Sequence, residues 1–137
     1  MVINSRDILG SDGPLAARLE GFTPRRAQQE MADRIEQALA GYSVFIAESG
    51  TGTGKTFAYL VPALLSGRKI LISTGTRHLQ DQLYHRDLPL VRDALAVPVS
   101  TALLKGRSNY LCRYRLDSLE TDGRLAGRRG EIGRAHV

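Results

Sequence analysis

Residues Gly50-Thr51-Gly52-Thr53-Gly54-Lys55-Thr56 form a pattern suited to holding an anion. Glycines let backbone amides turn inward around phosphate oxygens, a lysine supplies a point charge for the β and γ phosphates, and a threonine hydroxyl suits Mg²⁺. The pattern is that of a Walker A phosphate loop. Its strict form, G-x-x-x-x-G-K-[ST], has glycine where Ser49 stands, and Ser49 is small enough to take that place. The candidate nucleotide-binding residues are therefore Ser49, Gly50, Thr51, Gly52, Thr53, Gly54, Lys55 and Thr56, with Lys55 and Thr56 carrying the catalytic part and Thr56 the metal. A merely flexible turn is the plain alternative, against which Lys55-Thr56 and the flanking elements argue.

Such a loop needs a strand to deliver it and a helix to receive it. Ser43–Ala47 is a short apolar run suited to a buried parallel strand, and the residues after Lys55 are apolar nearly all round, as in a helix packed against a sheet, with Pro62 set to kink it. Upstream, Thr23 and Pro24 open a predicted helix whose apolar positions Ala27, Met31, Ile35, Ala38 and Leu39 repeat until Gly41. Downstream, Lys69–Ile72 reads as a second strand. A helix is expected from about Arg77 until Asp87 and Pro89 interrupt it, and 97–104 reads as a third strand. Strands alternating with helices predict an α/β fold with a parallel, doubly wound sheet and ligands at the carboxyl ends of its strands. Residues 1–21, polar and holding Gly10, Gly13 and Pro14, read as a loosely ordered N-terminal segment.

A phosphate loop alone does not separate a nucleic-acid motor from a nucleotide kinase. Gln28, at the edge of the upstream helix's buried face, could offer its amide to an adenine edge, though a helix glutamine is more often a solvated side chain. In Ser73-Thr74-Gly75-Thr76-Arg77, amides, hydroxyls and a guanidinium could grip a nucleic-acid phosphate. An ordinary turn with Thr76 as N-cap is the other reading. Cys112 follows Lys105, Arg107 and Tyr110. A lone cysteine is usually a small buried hydrophobe, and His78, His85 and His136 do not make a zinc motif with it.

The chain bounds these options. Its 137 residues allow one modest domain, and the +5 net charge fits a polyanionic partner or a merely basic surface. No run could span a bilayer, no signal peptide is apparent, and one cysteine excludes an internal disulfide, so a cytoplasmic protein is expected.

Taken together, the segments resemble the DinG/YoaA group of XPD-like superfamily 2 ATP-dependent DNA helicases, the YoaA branch being the nearer. Arg25 and Gln28 resemble the group's adenine-recognition segment, Glu48–Thr56 its motif I, Ser73–Leu83 its motif Ia, and Lys105–Cys112 the start of its iron-sulfur domain. The resemblance covers about residues 21–119. It implies a RecA-like P-loop NTPase sheet, of which residues 22–104 are the N-terminal part of motor domain 1, followed at 105–122 by the start of an iron-sulfur domain. It implies ATP hydrolysis with Mg²⁺, coupled to 5′ to 3′ movement on single-stranded DNA and opening of forked duplex DNA in repair. Arg25 and Gln28 would recognise adenine, and Thr74, Thr76 and Arg77 would contact the DNA backbone. Cys112 would be one of four thiolates of a [4Fe-4S] cluster, which is not expected to assemble here. No D-E-x-H box follows motif Ia in this sequence, so the chain by itself is expected to be inactive. Another P-loop NTPase such as a kinase, or a short non-catalytic nucleotide- or nucleic-acid-binding module, remains open.

Residues 123–137 read as a disordered tail rich in Gly and Arg. Ile132–Val137 are what the adapter-like string ATCGGAAGAGCACACGTC would encode, so 131–137 are read as sequencing-adapter read-through fused to a truncated gene. A natural basic tail is the alternative.

Overall fold

The structure is a computed structural model that describes residues 4–121; the tail at 123–137 lies outside the described residues. It comprises two units, residues 1–102 and 103–137.

The first unit is built around two helices, α3 (Arg26–Gly41) and α4 (Lys55–Leu65), packed on each other. α4 is the central element. None of its residues is exposed, and Ala58, Leu60, Val61 and Pro62 are buried. Its near-continuous apolar sequence predicts this, and the helix runs through Pro62 to Leu65 as one element.

α3 begins two residues later than Thr23 and Pro24 suggest, because Arg25 stays extended as its N-cap residue, with φ −123° and ψ 126°. Its buried face is also turned by one position. Gln28 and Ala32 are buried, whereas Ala27 is exposed and shares with Met31, Phe45 and Ala47 an open cleft beside the loop. The helix ends as expected at Gly41, but the left-handed cap is Tyr42, with Arg68 stacked 4.3 Å over its ring and donating to Leu39 O.

Residues 1–21 depart from the loose segment expected of them. α1 (Ser5–Ile8) and α2 (Pro14–Arg18) pack on the helical layer, α1 against α3 and α4. Ile8, Leu9 and Leu15 are among the most buried side chains of the unit. Asn4 caps α1 by accepting from the Asp7 amide at 2.9 Å, Ser5 N donates to Glu36, and Gln29 donates to Leu9 O. Gly13 sits where a Cβ would run into the carbonyls of Asp7 and Ile8, so the reversal between α1 and α2 requires glycine.

Beyond α4, α5 (Arg77–Gln82) does not stop at Asp87. A π turn (Leu83–Asp87) leads into α6 (Leu88–Leu95). Pro89 falls in the first turn of α6, directly after the π turn, and the helical backbone continues past it instead of ending there. α6 packs on α2 and α4 and buries Val91 and Ala94.

No β-strand is formed among the described residues. Residues 43–47, 69–72 and 97–104, expected as strands of a parallel sheet, have neither helix nor strand pairing. Val44 and Ile46 are 89% exposed while Phe45 is 38% exposed, an alternation of the kind a strand shows. A strand is stable only when a neighbour takes up its amides and carbonyls, and these segments do not pair with one another.

In the second unit a 3₁₀ turn (Arg107–Asn109) is closed by Asn109 Nδ2 donating to Gly106 O, and the Tyr110 hydroxyl accepts from Lys105 N at 2.9 Å. α7 (Arg113–Thr121) follows.

Candidate functional site

The glycine-rich loop is held from one side by the start of α3. Gln28, 4% exposed, donates its Nε2 to Gly54 O at 2.9 Å, and the Arg25 guanidinium donates to Gly52 O. In a trans peptide the carbonyl and the following amide point opposite ways. Drawing the carbonyls of Gly52 and Gly54 toward α3 therefore turns the amides of Thr53 and Lys55 away from it.

The loop is further tied by its own side chains. Ser49 Oγ and Thr53 Oγ1 share a hydrogen bond of 2.6 Å, and Thr53 donates to Gly50 O at 3.0 Å. Lys55, the first residue of α4, folds its ammonium back onto Ser49 O at 2.7 Å and Gly50 O at 2.5 Å. Arg25, Gln28 and the segment Ser49–Thr56 thus form one connected arrangement, in which Thr51 is exposed at the loop tip. The residues fit a nucleotide phosphate. The helix N-terminus has no side-chain cap competing for its amides, the cation lies on the loop's own carbonyls, and Gln28 Oε1 is buried with no partner.

Gly54 is the position where the geometry is least forgiving. Its φ is +81°, and a Cβ there would collide with the Gln28 amide. Gly54→Ala is expected to lower stability by about 1–3 kcal/mol, from left-handed strain plus displacement of Gln28. A chemical-denaturation midpoint measured against Gly50→Ala, where a Cβ would meet nothing and φ is not positive, checks this. Equal midpoints would contradict it.

Two residues that sequence reasoning passed over join this region. Tyr59 lies one turn after Thr56 on α4. Burial pushes its phenol above the usual tyrosine range, the nearby Thr56 hydroxyl opposes the rise, and the Asp87 charge adds to it. The one available signal was the three-residue spacing of Thr56 and Tyr59, which puts both on one helix face.

The Ser73–Arg77 segment forms the capped turn that was the alternative reading. Thr76 Oγ1 accepts from Leu79 N at 3.2 Å, and Thr74 Oγ1 donates to Thr76 O at 3.3 Å. Capping uses Thr76 as an acceptor and leaves its hydroxyl hydrogen for another group, and Thr76 and Arg77 are exposed. Cys112 is exposed in the second unit, not the buried hydrophobe that its type suggests. A [4Fe-4S] cluster takes four thiolates. With one cysteine in the chain, and no cluster of metal-ligating side chains among the described residues, the residues present do not fit it. No helix among the described residues is long and apolar enough to cross a membrane.

Residues 25–120 match the DEAD/DEAH box helicase family. The chain is 50% identical over 119 residues to the ATP-dependent DNA helicase YoaA of Haemophilus influenzae, covering 87% of this chain and 19% of that protein. It is 53% identical over 111 residues to the ATP-dependent DNA helicase YoaA of Escherichia coli, covering 81% and 18%. It is 36% identical over 114 residues to a Bacillus subtilis protein named 3′-5′ exonuclease DinG, covering 80% and 12%. The chain thus spans about a fifth or less of the length of these relatives. No solved structure matches it.

Proposed function

Because the chain belongs to the DEAD/DEAH box helicase family, which has a P-loop NTPase fold, we propose that it is the ATP-binding front of a DNA helicase motor. The observation that carries the reading is the grip of α3 on the loop, Gln28 on Gly54 O and Arg25 on Gly52 O, which sets the loop amides and Lys55 for a phosphate. In this reading Ser49–Thr56 is a Walker A loop. Lys55 moves from the loop carbonyls to the β and γ phosphates, Thr56 offers its oxygen to Mg²⁺, and Gln28 Oε1 accepts from the adenine amino group while Arg25 steadies the loop. Mg²⁺ supplies neutralisation of phosphate charge.

Residues 43–47, 69–72 and 97–104 pair in this proposal as strands of a parallel RecA-like sheet completed by the rest of the motor. Residues 22–104 belong to that motor domain and 105–122 open an iron-sulfur domain. Thr74, Thr76 and Arg77 contact the backbone of single-stranded DNA, so binding is salt-sensitive and tolerant of sequence. The motor moves 5′ to 3′, opens forked duplexes in DNA repair and works in the cytoplasm. Cys112 serves as one cluster thiolate beside cysteines outside this sequence, and no step above depends on it. The exonuclease of the third relative is not carried over, since the likeness extends over 12% of that protein.

The deciding experiment is ATP hydrolysis by the longer protein that carries this segment, with and without single-stranded DNA. DNA-stimulated turnover is expected. Turnover indifferent to DNA would favour a kinase or another P-loop NTPase. The 137-residue chain, which has no D-E-x-H box to complete the metal site or orient water, is expected to bind ATP without turning it over.

Gln28→Met separates adenine reading from support. Gly54 O keeps its bond from Ala58 N at 3.2 Å, and the substitution also removes the orphaned Oε1, so stability should move by no more than about 1 kcal/mol. The preference for ATP over GTP should disappear in competition binding. A retained preference would remove Gln28 from the base site.

A further inference from the structure

The strict phosphate-loop pattern has glycine at the place of Ser49, and the hydroxyl that this chain carries there is engaged. Ser49 Oγ lies 2.6 Å from Thr53 Oγ1, and Thr53 Oγ1 donates to Gly50 O at 3.0 Å. A hydroxyl has one hydrogen to give. Thr53 spends its own on Gly50 O, so Ser49 is the donor of the pair. The hydrogen bonds therefore run one way, from Ser49 to Thr53 to Gly50 O, and tie the loop together across residues 50–52.

The span so closed has little packing to hold it. Gly50, Thr51 and Gly52 are exposed, and nothing stands within 4 Å of a Cβ placed on either glycine. Glycine has the freest backbone of any residue, so order in this span comes from hydrogen bonds. Besides the grip of Arg25 on Gly52 O, two sets of bonds cross it. One is the hydroxyl chain, and the other is the Lys55 ammonium on Ser49 O at 2.7 Å and on Gly50 O at 2.5 Å. Gly50 O accepts from both, one for each lone pair. The two sets are not equivalent. In the function proposed above Lys55 leaves these carbonyls for a phosphate, whereas the uncharged hydroxyls of Ser49 and Thr53 already have each other and Gly50 O as partners.

We propose that Ser49 and Thr53 are positioning residues: their hydroxyl chain keeps the loop in its phosphate-binding shape once Lys55 has moved from the loop carbonyls to the phosphate. The inference rests on the reading of Lys55 as a phosphate ligand. When Lys55 departs, Gly50 O keeps Thr53 as a donor, so that carbonyl is not left bare. Thr53 is held from two sides, its side chain by Ser49 and the preceding carbonyl, Gly52 O, by Arg25, and its amide stays turned away from α3. A serine in place of the glycine then contributes a brace that glycine lacks.

The test is binding of fluorescent ATP and ADP analogues to the 137-residue chain, with ¹⁵N order parameters of the loop amides measured without nucleotide. Ser49→Ala is expected to weaken both ligands alike, about three- to tenfold, the worth of one hydrogen bond. Its thermal midpoint should stay close to that of the unaltered chain, because Lys55 still closes the empty loop. Thr53→Val should lose as much affinity, and joining it to Ser49→Ala should add little to the larger single loss. Thr53→Ser, which keeps the hydroxyl, should regain most of it. Without nucleotide, the amides of residues 50–53 should stay as ordered as in the unaltered chain in Ser49→Ala and in Lys55→Ala. They should fall toward the flexible range, below about 0.6, when both residues are replaced. A loss confined to the ATP analogue would put the Ser49 hydroxyl on the γ-phosphate and overturn the proposal. Losses that add in the Ser49→Ala and Thr53→Val pair, or a loop that stays ordered with both Lys55 and Ser49 replaced, would overturn it as well. If the unaltered chain binds neither nucleotide, the reading of the loop as a nucleotide site falls and takes the proposal with it.

Discussion

Lys55→Ala should leave the chain folded and nearly unable to bind ATP. The ammonium is held by the carbonyls of Ser49 and Gly50, at 2.7 and 2.5 Å, with nothing deeper depending on it. Both carbonyls belong to residues that are not buried, so water replaces the lost donor at little cost to stability. A phosphate has no such substitute. Charge-assisted hydrogen bonds are worth about 1.5–3 kcal/mol each, and losing two of them lowers affinity by about a hundredfold or more. Lys55→Arg should restore little, because a planar guanidinium fork does not fit a place shaped for a compact point charge. Fluorescence binding with a parallel thermal melt checks both halves. Near-native affinity in Lys55→Ala would remove the phosphate from this loop, and a collapsed melting point would make Lys55 a structural residue.

That loop was legible in the sequence because its information is local. Three glycines, a lysine and a threonine in fixed order leave few other uses, and the apolar run after Lys55 announces a helix buried on all sides. Gln28 was readable as a candidate but not as a buried residue, since glutamine on a helix normally faces water. What buries it is a bond to Gly54, 26 residues away, which no periodicity reports. The same holds for Tyr59 and Asp87, whose relation exists only once the π turn lies against α4. Pro89 was misleading for a different reason: proline forbids helix interiors but suits a first turn, and local sequence does not say which of the two it occupies. The expected strands are the opposite case. Their extended preference is local and visible at Val44, Phe45 and Ile46, while pairing depends on distant partners, and the family alone supports a sheet.

Leu15→Ala tests the element that the sequence concealed most. Gly10, Gly13 and Pro14 make the first residues look like linker, and helices of 4 and 5 residues are too short to show a 3.6-residue repeat. Yet Leu15 is 0% exposed, on α2, which packs on α6, while Ile8 and Leu9 close the layer over α3 and α4. Truncating a fully buried leucine costs about 2–5 kcal/mol, a large part of the ~5–15 kcal/mol that holds a domain together. Leu15→Ala is therefore expected to lower the thermal midpoint by about ten degrees, whereas Arg18→Ala, exposed on the same helix, should barely move it. Because α1 packs on the helices that carry Gln28 and Lys55 while α2 packs on α6, and neither supplies a residue of the site, ATP affinity per folded molecule should stay as it was. A melt in which Leu15→Ala behaves like Arg18→Ala would detach the N-terminal helices from the core, and the layer beneath the loop would have to be stabilised by α3, α4 and α6 alone.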